Sequence, residues 1–253
     1  MQSSLKKEPA VFSLLCWNIA NPSVERAGKQ ALWLKQRPED ILLLTEAKHS
    51  KGCIFLERYL QAFGYNVVFP KPEEEEYGVM AVSKNKLKPT DFSKLIKYLP
   101  SRVVSVESNR LEIIGVYAPS RGFDEGERLV KKKRFLEGLS NALDKSGSPT
   151  RRIFCGDLNV LEPNHIPYYD YFKNWEYDFY RDLAKHQLID VFRDLHPDTE
   201  EHSWFGRSGA GYRYDHSFVS DDLKSAVKEC YYLHEPRETK LSDHSAMVLK
   251  LIL

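Results

Sequence analysis

Gly156-Asp157-Leu158-Asn159 follows directly on the apolar run Ile153-Phe154-Cys155, and Ser242-Asp243-His244 stands far downstream of it. A strand that ends in Asp-x-Asn, met by an Asp-His pair from a second strand end, brings carboxylate, carboxamide and imidazole together. Such a set can hold a phosphate ester beside a hard cation, because oxygen ligands suit Mg²⁺ and an imidazole suits the charge of a transition state. Either motif alone discriminates poorly: Asp and Asn are ordinary turn residues, and Asp-His pairs are common. Further polar residues at the ends of apolar runs add weight. Asn18 follows residues 11–17, Glu46 follows 41–45, Tyr117 closes 111–117, and Asp215 opens 216–219.

These residues need a scaffold that gathers strand ends at one rim. Short runs rich in β-branched and aromatic residues predict strands at 11–17, 41–45, 65–69, 79–82, 103–106, 111–117, 153–155, 216–219 and 246–252. Several are apolar at every position, so neither face can be wet. Helical spacing falls between them at 24–36, 53–63, 126–143 and 175–186. The third helix starts near Asp124, carries apolar Leu129, Val130, Phe135, Leu136 and Leu139, and is expected to expose the basic run Lys131, Lys132, Lys133 and Arg134. That run reads as a solvated helix face rather than a DNA track. Residues 73–76 read as an exposed acidic loop and 161–174, rich in Pro, Asn and Tyr, as a long surface excursion beside Asp157. The pattern predicts an α/β (α+β) sandwich: two packed mixed β-sheets flanked by helices, as one domain over residues 1–253.

Lys and Arg number 37 against 36 Asp and Glu, a formal charge of +1, so no global basic field recruits a polyanion and any such recruitment must be local. The first nine residues are polar and no stretch approaches membrane-spanning length, which predicts a soluble, cytoplasmic protein with no membrane partner. Cys16, Cys53, Cys155 and Cys230 lack metal-ligand spacing and are expected to be buried reduced thiols. A monomer is expected.

In chain order, Asn18, Glu46, Tyr117, Asp157, Asn159, Asp215, Asp243 and His244 resemble the signature of the exonuclease III family within the endonuclease/exonuclease/phosphatase superfamily. The resemblance runs from about Phe12 to Leu251. Tyr77-Gly78-Val79 through Ser83-Lys84, His202-Ser203-Trp204-Phe205, and Gly211-Tyr212-Arg213-Tyr214-Asp215 are similar to further segments of that family. One departure is Ala20, where many repair members carry an acidic or polar residue two positions after the first Asn.

The resemblance implies a role for each position. Glu46 is the principal Mg²⁺ or Mn²⁺ ligand with Asn18 beside it, and Asp243 helps position the metal or His244. Asp157 orients or deprotonates the attacking water, while Asn159 and Tyr117 hydrogen-bond the scissile phosphate. His244 stabilises charge on that phosphate and is oriented by Asp215. Trp204, Tyr212 and Tyr214 form an aromatic pocket, in which Tyr214, next to Asp215, is the ring most suited to packing alone. Arg121, just beyond the Tyr117 strand end, is a further candidate for substrate binding. The activity implied is metal-dependent cleavage of DNA, as an abasic-site endonuclease or a 3′-exonuclease. The alternative is a phosphoester hydrolase of the same superfamily acting on a small molecule or a lipid headgroup; a catalytically silent binding module is the remaining class.

Overall fold

The computed structural model describes residues 10–121, 126–148 and 150–253, so Asp124 and the first nine residues lie outside it. The first half contributes β1 (Val11–Asn18), β2 (Ile41–Ala47), β3 (Asn66–Val68), β4 (Gly78–Ser83), β5 (Lys88–Pro89), β6 (Val103–Ser108) and β7 (Leu111–Tyr117). The second contributes β8 (Arg152–Asp157), β9 (Leu188–Asp190), β10 (Trp204–Phe205), β11 (Gly211–Tyr212), β12 (Asp215–Ser220), β13 (Val227–Leu233) and β14 (Ala246–Ile252). The helices are α1 (Val24–Lys35), α2 (Lys51–Ala62), α3 (Phe92–Leu95), α4 (Glu127–Lys145), α5 (Asn174–Lys185), α6 (Val191–Leu195) and α7 (Glu235–Glu238). None is long and apolar enough to cross a membrane among the described residues.

Two six-stranded mixed sheets result, in the orders β13-β14-β1-β2-β4-β3 and β5-β6-β7-β8-β12-β9. Each has one parallel pair at its centre, β1 with β2 and β7 with β8, and antiparallel neighbours outside it. Alternation along β1 explains why the run is apolar throughout. Phe12, Leu14 and Cys16 join Val104, Ile113 and Cys155 between the sheets, whereas Leu15 and Trp17 face Ala27, Ala31 and Leu56 of α1 and α2. Outside the second sheet, Ile114, Val116 and Phe154 pack on Phe135 and Leu139 of α4 and Phe179 of α5. Helices therefore cover both outer faces of a two-sheet sandwich, and all four cysteines are free and buried in it.

Two expectations need correction. Lys132 is not part of a solvated basic face: it has no exposed surface. Its position three and four residues before Phe135 and Leu136 places it on the buried stripe of α4. The segment 161–174 is not wholly superficial either, since Leu161 and Phe172 are buried with Tyr177 and Tyr212 in a fourth apolar cluster. Within the acidic loop, Glu76 is only half-exposed and accepts from Arg102 Nε at 3.1 Å.

A buried ionic network ties the 161–174 segment to the start of β12. The fully buried Arg213 donates from Nε to Glu162 at 3.0 Å and from Nη2 to Asp190 at 2.7 Å, and Arg193 Nη2 donates to Glu162 at 2.7 Å. Burial disfavours the Glu162 carboxylate, yet the two guanidiniums outweigh it and bring its pKa down to about 2. A pKa depressed in the folded state gives stability that is present above the ordinary carboxylate range and is lost as pH falls towards the folded value. The difference from a free Glu is on the order of 3 kcal/mol. Denaturant unfolding of the parent is expected to weaken steeply from pH 5 to pH 3. A Glu162→Gln variant, less stable at pH 6, is expected to show a shallower slope; equal slopes would remove Glu162 as the cause.

Candidate active site

In a sheet with a central parallel pair, the C-terminal ends of that pair and the N-terminal ends of its antiparallel neighbours meet at one edge. Here β1, β7 and β8 end in Asn18, Tyr117 and Asp157, β2 carries Glu46 one residue before its end, β12 begins at Asp215 and β14 follows His244. Asp215 pairs directly with Asp157 across the ladder. The backbone is specialised at this rim. Gly156 has φ +153°, and a Cβ there would come within 1.9 Å of the Val116 carbonyl oxygen, so only glycine lets β8 approach β7 closely enough to deliver Asp157. Glu46 has φ +56° and lies where the register between β2 and β4 shifts, a bulge that re-aims its side chain. Asn159 also lies in the left-handed region, at φ +51°.

The side chains converge on the Asn18 carboxamide. Its Nδ2 donates to Glu46 Oε2 at 3.0 Å and to Asp157 Oδ2 at 2.9 Å and lies 3.4 Å from His244 Nε2. Its oxygen accepts from Ala20 N at 2.8 Å, which fixes the amide orientation. Tyr117 donates to Glu46 Oε2 at 3.0 Å. Asp157 Oδ1 accepts from Asn159 N at 3.0 Å, and Asn159 Nδ2 donates to the Ala118 carbonyl at 3.0 Å. His244 Nδ1 and Asp215 Oδ2 are 2.8 Å apart, so Nδ1 carries the proton and Nε2 is the nitrogen facing Asp157, 3.9 Å from Oδ2. Asn18, Tyr117, Asp157, Asp215 and His244 are all buried; Glu46 is half-exposed.

Crowding of like charge sets the electrostatics. Burial, then the Asp215 carboxylate and Glu46, push Asp157 well above the usual carboxylate range, against the pull of His244 and Asn18. Burial opposes the charged form of His244, but Asp215, Asp157 and Asp243 outweigh it and hold the imidazole well above its usual value. Burial and the neighbouring carboxylates likewise keep the Tyr117 hydroxyl protonated. Both shifts favour a protonated imidazole bound to one carboxylate and facing a second with raised proton affinity. Asp157, Asp215 and His244 bring ligand atoms within 4.8 Å of one another, and Asp215 Oδ1 is buried without a hydrogen-bond partner among the described residues. With Glu46, the carboxylates of Asp157 and Asp215 make an oxygen donor set, which fits a hard divalent cation. Asn18 presents its nitrogen rather than its oxygen to the carboxylates, so ligation by Asn18 requires its amide to turn over.

The outlying candidates separate into two groups. Trp204 is half-exposed, with its ring centroid 6.3 Å from that of His244 and its Nε1 donating to Asp243 Oδ2 at 2.9 Å. Tyr212 is buried, stacked on Tyr169 at 4.6 Å and on Tyr214 at 5.1 Å, and its hydroxyl meets that of Tyr171 at 2.6 Å. With both ring faces covered, Tyr212 is a packing element. Tyr214, half-buried, stacks on Tyr212 and lies 5.9 Å from the Trp204 ring, which is itself 5.5 Å from Tyr212. Arg121 is turned back onto the protein: it donates to the Tyr171 carbonyl, lies 3.8 Å from Glu176, and covers the Tyr171 and Phe172 rings.

Three supporting residues escaped sequence reasoning. Arg102 is buried, donates to the Tyr117 carbonyl at 3.2 Å, and holds its guanidinium 4.9 Å from the Tyr117 ring centroid. Trp17 Nε1 donates to the His244 carbonyl at 3.2 Å. Lys132 Nζ donates to the Asn159 carbonyl at 2.6 Å. For Arg102 no local signal exists, while Lys132 was visible only as a cation in phase with the apolar stripe of α4.

Among proteins of known structure, the fold is shared with the 3′ phosphatase NExo from Neisseria bound to product DNA hairpin (TM-score 0.82, 23% identity, covering 95% of this chain and 99% of that one). It is shared too with an AP endonuclease from Archaeoglobus fulgidus (TM-score 0.81, 23% identity, 96% and 100%). A DNA-(apurinic or apyrimidinic site) endonuclease of Arabidopsis thaliana is 24% identical over 165 residues, which span 51% of this chain and 44% of the length of that relative. The sequence itself matches the Endonuclease/Exonuclease/phosphatase family over residues 15–244, a span that opens three residues before Asn18 and closes on His244. The chain belongs to the endonuclease/exonuclease/phosphatase family.

Proposed function

We propose that this chain is a metal-dependent phosphodiesterase that cleaves DNA in the manner of exonuclease III, as an abasic-site endonuclease or a 3′-exonuclease. The observation that carries the reading is the convergence of Glu46, Asp157 and the His244–Asp215 pair on Asn18 Nδ2, with a half-exposed tryptophan alongside. Glu46, with Asn18 beside it and the exposed Asp243 that accepts from Trp204, would hold Mg²⁺ or Mn²⁺, which when bound would polarise the phosphate and neutralise its charge. Asp157 takes the proton of the attacking water as the water oxygen bonds to phosphorus, and the ester oxygen leaves. His244 meets the charge that builds on the phosphate, and Tyr117 and Asn159 orient it. The DNA-acting relatives support this substrate class.

A labelled duplex with a single abasic site, incubated with and without Mg²⁺, tests the reading. Mg²⁺-dependent nicking beside the abasic site, or shortening from 3′ ends, is expected. Release of phosphate from small esters with the duplex left intact would replace it with the small-phosphoester reading.

Trp204 supplies a second check. A flat, half-exposed ring beside the phosphate site is positioned to stack on a base or cover a base-free sugar, and stacking contributes about 1–3 kcal/mol per base. Trp204→Ala is therefore expected to lose between several-fold and about a hundredfold in kcat/KM on DNA, mostly through KM, while hydrolysis of a small diester changes little. Tyr212→Ala, which empties the middle of a ring stack, is expected to lower thermal stability instead. Equal losses on both substrates for Trp204→Ala would detach the ring from DNA recognition.

A further inference from the structure

We propose that Lys132 is a positioning residue for the Asp157-Leu158-Asn159 turn, clamping it from behind through the Asn159 carbonyl. This deepens the phosphodiesterase reading and rests on it. Lys132 Nζ makes two bonds in a place with no exposed surface, one to the Asn159 carbonyl at 2.6 Å and one to the carboxylate of Glu176, which is equally buried. Glu176 is itself anchored, accepting from the backbone N–H of Lys173 at 2.9 Å and lying 3.8 Å from Arg121.

The bond to Asn159 gives this pair a meaning beyond packing. Asn159 holds a left-handed backbone, a conformation that costs a non-glycine residue free energy and persists only when its surroundings over-determine it. Three groups do so. Its N–H is held by Asp157 Oδ1, its side-chain amide by the Ala118 carbonyl next to Tyr117, and its carbonyl by Lys132. Lys132 is the cationic tether of the three, and it connects α4 and α5 to the turn that carries two of the site's polar groups. Packing alone would be served as well by an apolar pair, because a buried ion pair is often replaceable by hydrophobic residues at no loss of stability. An ammonium at this position is explained by the carbonyl it fixes.

Lys132→Met alone strands a buried Glu176 carboxylate and is expected to destabilise the fold, so the informative variant is the pair Lys132→Met with Glu176→Met. It is expected to fold and to lose about 10–100-fold in kcat, the usual scale for a residue that orients a group in direct contact with the reaction, with KM nearly unchanged on bis(p-nitrophenyl) phosphate and on the abasic duplex. Added to Asn159→Ala, the same pair should cost little more, since groups acting as a unit are non-additive. Amide hydrogen exchange gives a readout independent of turnover: the Asn159 N–H, protected in the parent, should exchange at least about tenfold faster in the pair variant as its local opening becomes easier. Parent-like kcat, losses that multiply with Asn159→Ala, or unchanged exchange at Asn159 would overturn the proposal. If the parent hydrolyses neither substrate, the phosphodiesterase reading fails, while exchange at Asn159 still decides whether Lys132 holds the turn.

Discussion

Glu46→Gln and Asp157→Asn are each expected to remove nearly all hydrolysis while leaving the protein folded. The two substitutions act on different chemistry. At Glu46, Oε2 accepts from both Asn18 and Tyr117, and the single oxygen of a glutamine can keep both bonds. What is lost is the charge that a hard cation needs, so the defect should be partly offset by raising Mg²⁺ or Mn²⁺. At Asp157, Oδ1 accepts from Asn159 N and Oδ2 from Asn18 Nδ2, so an asparagine satisfies only one of these donors and turns its own amide on the other. It also cannot take a proton. A general base contributes about 10²–10⁴-fold, and more cation cannot restore it. Thermal stability should not fall in proportion, because burial and the Asp215 and Glu46 carboxylates already disfavour the ionised form of Asp157, which the neutral asparagine replaces. Steady-state rates against metal concentration, with melting curves, separate the two cases. Near-parental turnover by either folded variant would void its assigned role, and full rescue of Asp157→Asn by metal would make Asp157 a ligand rather than a base.

How far these roles were legible in the sequence depends on what each residue's neighbours in the chain reveal. β7 and β14 have the bounds that their apolar runs predict, because both faces of each strand are covered and the run records that fully. β13 was invisible: Val-Lys-Glu-Cys-Tyr-Tyr-Leu buries only alternate residues of its second half, as an edge strand with one open side must. The rim residues were legible because glycine, Asp-x-Asn and Asp-His punctuate strand ends. The aromatic set was legible only by type and place in the chain. Sequence singles out Tyr214, beside Asp215, as the ring suited to packing, whereas the stacking of Tyr169 and Tyr214 on Tyr212 makes Tyr212 the packed ring and leaves Tyr214 half-buried. Lys132 shows the converse failure. A run of four basic residues averages to a solvated face, although one member in each helical turn must point inward.

His244→Ala should be severely impaired, by about 10²–10⁴-fold as expected for loss of a positioned acid–base group, and Asp215→Asn should be impaired through His244 rather than by itself. The geometry ties Asp215 to the reaction through the imidazole, while its charge also bears on Asp157. Asp215 Oδ2 is 2.8 Å from His244 Nδ1, its other oxygen is buried without a partner among the described residues, and its backbone N–H is held by Ser203 Oγ at 3.2 Å. An asparagine here can still accept from Nδ1, so the ring keeps its place, but the charge that sustains the imidazolium is gone. The sign of the pH effect follows. Asp215 raises the pKa of His244, so in the parent the imidazolium is present through neutral pH and is lost only as pH rises through that raised value. In Asp215→Asn, burial is no longer outweighed to the same extent, and the charged form should be lost at lower pH. The alkaline limb of the kcat profile is thus expected to move to lower pH in Asp215→Asn, with activity partly recovered under mildly acidic conditions, whereas His244→Ala should lose that limb altogether. Combining the two should cost little more than His244→Ala alone, because residues that act as one unit are not additive. Multiplicative losses, or an Asp215→Asn profile with the parental alkaline limb, would separate the pair and assign Asp215 an effect of its own.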